Sequence, residues 1–589
     1  MARWINKEND ADITLMSKTL NISPILCEIL ANRGIRTKNT AIKFLQPSLG
    51  FMHDIDQMAG VGIACDIIRE GIANGRRFCI YGDYDVDGVS GTLILHKTLL
   101  NLGANSQYYI PHREKEGYGL NVAAVEEIAS HTDVLITIDN GIAAVDEVAL
   151  AKELGLTVII IDHHEAAYVE ENGMRVEQLP LADAIIDPKR GDCPYPFKEM
   201  SAAGIAYKFA KYLHGVFGAD FVDEPEFLVF AAIAAFCDVV DLVDENRIIA
   251  AKGLDLLCQQ NFRNIGLNAL VKARNLEYNK IDAFDIGFII GPCINASGRL
   301  DSAETAVRLF LSEDAVQADM LAAKLVELND ERKSLTAQYA DRTITDLAGF
   351  DDKVLIAFQP DMHESIAGIV AGRVKDAVHR PTIVFAKSSD DSIAKGSARS
   401  IEAYDIFQEM QRHKELFIRF GGHKMAAGAS LPIENIDVLR QRLNETCELT
   451  DEDFVPIIYI EKELTLDQIT FELAQSLQIL APFGKANKQP VFVTREIYTE
   501  NAEIIGKSGT TLRLAFRSQG GRKIRAVAFQ SVDKFKEMLV NSYSEEVVNG
   551  FAAGRLRNLA VKMDVAYHVE INTYMGNSSL QLRILDFIF

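Results

Sequence analysis

No apolar run in the 589-residue sequence reaches the ~18 residues that a membrane-spanning helix needs. The opening stretch Met1–Glu8 has no signal-peptide core either, so no membrane association and a cytoplasmic location are expected. No C-x-x-C pair occurs. The eight cysteines (27, 65, 79, 193, 237, 258, 293 and 447) are scattered, which argues against structural zinc and for a reducing compartment. Internal repeats and low-complexity tracts are also missing. Positive charge is in deficit, with 61 Lys and Arg against 83 Asp and Glu, a net −22. Taken alone this counts against a nucleic-acid partner, but binding depends on where the positive charge lies. Residues 485–525 carry nine Lys/Arg against Glu496, Glu500 and Glu503, so a basic surface on an acidic protein stays open. The length calls for several domains, and 48% hydrophobic with 24% charged residues fits a globular protein.

The most informative stretch is Arg77–Gly88. Residues 77–81 read as a short apolar strand, followed by a Gly/Asp turn and a helical run from about Gly88 to Gly103. Asp83, Asp85 and Asp87 then stand at the carboxyl end of a buried strand, where open α/β sheets bind ligands. Three like charges this close raise one another's pKa unless something positive lies among them, and a divalent cation is the simplest remedy. An EF-hand is excluded: its twelfth position is Ile94 here, and a strand rather than a helix precedes the loop. An Asp-rich solvated turn is the alternative for this hexamer taken alone.

Residues 1–70 read as a helical lead-in packed on the sheet, with Ile25, Leu26, Ile29 and Leu30 on one helix face before a stop at Gly34. From residue 71 to 311, strands alternate with helices. Residues 134–138 end in Asp139-Asn140-Gly141, residues 157–161 in Asp162-His163-His164, and residues 184–186 in Asp187-Pro188. Such β-branched runs predict a parallel sheet covered on both faces. Phe227–Phe236 reads as a buried helix leading to Asp238. Residues 312–348 connect to the next domain. Residues 312–347 lack Gly and Pro, and predict either one helix of about 50 Å or a helix–turn–helix. Residues 349–450 form a second α/β block, with strands at 353–358 and 382–386, a helix at 365–378 and a Gly-rich turn at 421–428. Residues 451–589 read as a small β-barrel.

If the strand ends share one rim, Asp83, Asp85, Asp87, Asp139, His163 and Asp238 make a carboxylate–imidazole cage. That is too many ligands for one cation but suits two, about 3.5–4 Å apart. Hard oxygen donors with a little imidazole favour Mn²⁺ or Mg²⁺ over zinc. Ile505-Gly506-Lys507-Ser508 is not a P-loop, since Asn501 occupies the first glycine position and a strand follows.

The stretch Tyr81–Gly88, Asp139-Asn140-Gly141, Asp162-His163-His164 and Asp238 resemble the four motifs of the DHH phosphoesterase superfamily, in the spelling of its RecJ branch. Further similar segments are Ile110–Arg113 with Glu116–Gly119, Ile294–Leu300, Gly368–Arg373, Gly396–Ser400, Gly421–His423 and Ala481–Gly484. Lys485-Ala486-Asn487-Lys488 departs from the family's usual Gly-Asn-Pro-like run. The resemblance implies a DHH catalytic domain, a DHH-associated domain and an OB-like barrel. It further implies that Asp85, Asp87, Asp139, His163 and Asp238 hold two Mn²⁺ or Mg²⁺ ions, with Asp83 assisting and His164 contacting the scissile phosphate. Arg113, Arg299, Arg373, Ser397 and Arg399 would bind a 5′-terminal phosphate. Gly421-Gly422-His423 is either an anion nest that adds His423 to this set or a plain turn. The implied activity is a 5′→3′ exonuclease on single-stranded DNA in repair and recombination. A monomer is expected, working with a single-strand-binding protein and a helicase. In the barrel, Phe492 and Tyr498 either stack on bases or fill the core, and Phe516 is read as core. Two other activities stay open: a phosphodiesterase for short oligoribonucleotides or cyclic dinucleotides, and a non-catalytic replication scaffold.

Overall fold

The computed structural model describes every residue except 1, 172–173, 544, 553–554 and 575. The chain divides into two compact units, one of residues 47–450 with 484–486, the other of residues 1–46, 451–483 and 487–589.

The first unit is built on a five-stranded parallel sheet, in the order Asn105–Tyr109, Arg77–Tyr81, Val134–Ile138, Thr157–Ile161 and Ala184–Ile186. Val134–Ile138 is buried at every position, as a central strand covered on both faces must be. Helices Val86–Asn101, Ala202–Phe217 and Glu224–Cys237 cover one face. Val122–Ala129 and Val145–Glu153 cover the other. Helix Val86–Asn101 starts before the expected Gly88 because Asp85 caps it, accepting the Asp87 and Gly88 amides at 2.9 and 3.2 Å.

Of the two structures open for residues 312–347, the chain adopts the single helix, Ala315–Leu347. Ala318, Ala322 and Leu325 belong to the first core, while Tyr339 and Ala340 belong to the core under a second sheet. One helix therefore serves two cores. The second sheet runs Arg419–His423, Ala426–Pro432, Ile393–Arg399, Thr382–Lys387 and Leu355–Gln359. The Gly-rich stretch 421–428, expected as a turn, is instead a hairpin of two strands. A Cβ on Gly422 would lie 2.4 Å from the Ala426 carbonyl oxygen, so this glycine serves close strand approach.

Buried Glu245 holds the start of the first unit in place. It accepts the His53 N–H at 2.9 Å, the Tyr195 hydroxyl at 2.6 Å and the ammonium of Lys208. Lys208 also donates to the His53 carbonyl at 2.7 Å.

The second unit contains a closed five-stranded barrel: Phe492–Ile505, Thr511–Arg517, Lys523–Ala528, Asn577–Ile588 and Arg555–Tyr574, the last pairing back to the first. Residues 1–46, expected to pack on the parallel sheet, belong instead to the barrel's unit. Arg3–Asn6 pairs with Ile457–Ile460, and Leu26, Ile29, Leu30 and Phe44 share a core with Phe492, Phe516 and Val565 of the barrel. An amphipathic stripe announces that a partner exists without saying which one. Only the later part of the lead-in, through Val61, Ala64 and Ile68, packs with the sheet.

Candidate metal centre and phosphate pocket

The strand ends meet on one rim, as the sheet order requires. Both oxygens of Asp87 are held by the start of helix Ala202–Phe217, accepting the Ala202 and Ala203 amides at 2.7 and 2.8 Å. Gly88 has no room for a side chain: a Cβ would lie 2.6 Å from the Asp83 backbone. Asp139 follows its strand at φ +64°, a left-handed geometry that aspartate tolerates better than most residues. His163 Nε2 lies 3.1 Å from Asp139, 3.7 Å from Asp87 and 3.8 Å from Asp238. Ligand atoms within 4.8 Å of one another fall into three overlapping groups: Asp83, Asp85 and Asp139; Asp87, His163 and Asp238; and Asp139, His163 and His164.

Among the described residues, no lysine or arginine forms an ion pair with these five carboxylates. Burial first, and then the neighbouring carboxylates, push Asp83, Asp87 and Asp139 above the ordinary range. Asp238 is raised to about 7 by burial and by Asp85. His163 supplies no counter-charge, because burial and the neighbouring His164 depress it to about 3. Asp83 Oδ1 is buried without a hydrogen-bond partner. A largely buried carboxylate cluster without a Lys or Arg ion pair, joined by the neutral imidazole of His163, is a donor set fit for hard divalent cations.

A pH-dependent metal effect follows. Carboxyls with raised pKa hold protons more tightly when folded, so the metal-free unit loses stability as pH rises from about 4 to about 7. A cation removes that loss. Mn²⁺ at about 100 times its Kd is expected to stabilise the protein by ~2.7 kcal/mol. By calorimetry, the rise in Tm should be larger near pH 8 than near pH 5, and EDTA should reverse it. Equal gains at both pH values would contradict the donor set.

Nothing in the sequence reading gives Asp162 or Tyr118 a role, yet both orient His164. Asp162 Oδ1 accepts from His164 Nδ1 at 2.7 Å, and the Tyr118 hydroxyl lies 3.1 Å from His164 Nε2. Desolvation opposes charge on His164, but the bond to Asp162 outweighs it and lifts the ring to about 9. The available signal was positional: an acid directly before the His pair at a strand end, and a tyrosine set between two glycines.

The arginines gather beside this centre. Arg113 lies over the Tyr84 ring at 4.9 Å, and Arg299 donates to the Ser365 carbonyl at 2.8 Å. Arg399 donates to Ser397 Oγ at 2.9 Å, and a Cβ on Gly368 would come within 2.8 Å of its guanidinium. Burial, then Arg113 and Arg332, lower Arg299 to about 9; burial, then Arg113, lower Arg399. Arg332, on the long helix and absent from the expected set, is lowered by burial and by Arg373. None of the five has a carboxylate ion-pair partner among the described residues, although the chain is strongly acidic. Guanidinium groups massed without a counter-charge form an anion pocket. His423 lies farther out, on an exposed edge strand two strands across from Arg399, about 10 Å away at ordinary strand spacing.

In the barrel, Phe492 and Phe516 are core residues, and only Tyr498 of the three aromatics is exposed. Tyr498 lines a groove with Glu463, Asp467, Glu496 and Glu500 and with Arg495 and Arg517, which pair with Glu463 and Glu500. A separate groove of about 780 Å³ carries Arg513, Lys523 and Arg525. The basic residues are thus divided between two grooves, and Tyr498 shares one of them with Arg495 and Arg517.

A family model of the RecJ OB domain matches residues 460–586, the DHH family's N-terminal domain matches 77–233, and the DHHA1 domain matches 351–449. The single-stranded-DNA-specific exonuclease RecJ of Haemophilus influenzae is 32% identical over 590 residues, covering 96% of each chain. That of Bacillus subtilis is 36% identical over 526 residues, and the match covers 88% of this chain but 65% of that protein. The crystal structure of RecJ from Thermus thermophilus in complex with Mn²⁺ matches with a TM-score of 0.80 at 25% identity, covering 100% of this chain and 79% of the other. With three domains matched in order and a relative aligned nearly end to end, this chain belongs to the RecJ family.

Proposed function

We propose that the protein is a metal-dependent 5′→3′ exonuclease that degrades single-stranded DNA to 5′-mononucleotides. What carries the proposal is the juxtaposition, around Tyr84, of a carboxylate–imidazole centre with a pocket of arginines that have no ion-pair partner among the described residues. Arg113 stacks on the Tyr84 ring, and Gly298, next to Arg299, packs against the Tyr84 backbone. Asp83, Asp85, Asp87, Asp139, His163 and Asp238 would hold two Mn²⁺ or Mg²⁺ ions. When bound, such ions supply Lewis acidity that makes water a nucleophile near neutral pH and offsets charge on the phosphodiester. His164, turned by Asp162, offers Nε2 to the scissile phosphate. Arg113, Arg299, Ser397 and Arg399 grip the 5′-terminal phosphate and so set how far the strand enters, with Arg373 and His423 at the margin. The basic barrel groove suits a single-stranded backbone.

Both clusters come from one unit of one chain, which supports a monomer. Eight cysteines, none in a disulfide, suit the cytoplasm. A substrate of this kind arises from unwinding during repair and recombination, so a helicase and a single-strand-binding protein are fitting partners. The RecJ OB match over 460–586 favours long strands over dinucleotides, and the complete donor set favours an enzyme over a scaffold.

The test is digestion of a long oligonucleotide labelled at either end, with Mn²⁺ or EDTA. Mononucleotides should leave from the 5′ end, only with metal and faster with a 5′ phosphate. In Arg399→Ala that preference should fall by about tenfold, the worth of one charge-assisted contact. Release from the 3′ end would refute the polarity.

A further inference from the structure

Tyr118 stands between Gly117 and Gly119, whose φ angles are +87° and +80°. Both glycines face open space, so their left-handed geometry, not crowding, is what demands glycine there. The chain on either side is fastened. Glu116 accepts the His112 N–H at 2.6 Å and the Tyr109 hydroxyl at 2.8 Å, while the Gly119 carbonyl accepts the Tyr81 hydroxyl at 2.9 Å. The tip between these anchors is 57% exposed, and its hydroxyl sits 3.1 Å from His164 Nε2 and 3.5 Å from the Asp139 carbonyl. The ring meets Tyr84 and His164 edge-on, at 6.3 and 6.0 Å.

His164 has two ring nitrogens. Asp162 occupies Nδ1, so Nε2 is the one position from which the ring can reach a phosphate. That position already has a partner. We propose that the Tyr118 hydroxyl is a place-holder for a substrate phosphate oxygen on His164 Nε2, and that it swings away at the Gly117–Gly119 hinge when the phosphodiester arrives. Tyr118 is then a positioning residue that competes with substrate. Its hydrogen bond keeps the imidazole aimed in the free protein, and the glycines let the arm leave without disturbing the anchored chain. This rests on the exonuclease reading for the identity of the substrate, though not for the competition itself.

Tyr118→Phe keeps the ring and removes the competitor. Two measurements on the Mn²⁺-loaded protein separate the claims. The first is calorimetric binding of a phosphorothioate-linked dinucleoside, which has one internal phosphate and no terminal phosphate to enter the arginine pocket. Its Kd should fall about two- to tenfold in Tyr118→Phe, the worth of one hydrogen bond that no longer has to be broken. The second is steady-state hydrolysis of a 5′-phosphorylated single strand, in which KM should fall by the same factor while kcat changes less than twofold. An unchanged or higher Kd would overturn the place-holder. So would a fall in kcat with KM unchanged, which marks a hydroxyl needed in the reaction itself. A wild-type protein that binds the dinucleoside but releases no nucleotide would overturn the exonuclease reading and leave the binding result to decide this one.

Discussion

Asp139→Ala should lower nucleotide release by at least about a thousandfold, or ~4 kcal/mol of lost transition-state stabilisation, while the protein stays folded. Asp139 is central to the rim: it belongs to two of the three donor groups and lies 3.1 Å from His163. Its removal takes a donor from both of those groups. The effect on the metal-free fold has the opposite sign. Asp139 is buried beside Asp87, Asp85 and Asp83, each of which raises its pKa, so deleting it relieves repulsion. Without metal, the variant should therefore melt at or above the wild-type temperature, and it should lose most of the Mn²⁺-induced gain. A variant that melts far lower without metal, or that retains full activity, would dismiss the centre.

The second large effect concerns stability. Glu245→Gln should cost about 3–5 kcal/mol, because it leaves the Lys208 ammonium buried without its counter-charge. Burial lowers Lys208, and Glu245 is the largest of the neighbours that oppose this. The damage should be local to the start of the first unit, since Glu245 and Lys208 both bond the His53 backbone. Chemical denaturation of the variant should show a lower midpoint. The double change Lys208→Met with Glu245→Leu should recover most of the loss, because two apolar groups leave no charge stranded. A single variant as stable as wild type would show that the pair contributes nothing net.

The rim was legible in the sequence because each of its parts is local. A run of β-branched residues marks a central strand, and the acids directly after it must lie at its carboxyl end. The neighbour order that makes three such ends converge is then nearly forced. The hidden parts depend on tertiary choices. Arg332 gives no sign, in a helix full of charges, that it stands close to Arg299 and Arg373. Tyr118 looks like a turn residue until its hydroxyl is seen on His164. Phe516 reads as core and is buried, but Phe492 reads equally well as a stacking residue or core, because alternation shows two faces of a strand without telling which face is wet. The stripe Leu26, Ile29, Leu30 marks a packing face, but its partner lies more than 400 positions away and so leaves no local sign.

That distant partnership bears on how the polypeptide is made. Residues 47–450 form a nearly continuous unit that can complete itself while translation proceeds, but Arg3–Asn6 cannot pair until Ile457–Ile460 emerges about 450 residues later. At ~5–20 residues per second the first helices wait roughly 25–90 s on the ribosome with their oily side open to water. Residues 13–45 thus depend on a late partner and are suited to chaperone cover until it emerges, and a message cut short before residue 457 leaves their hydrophobic surface uncovered.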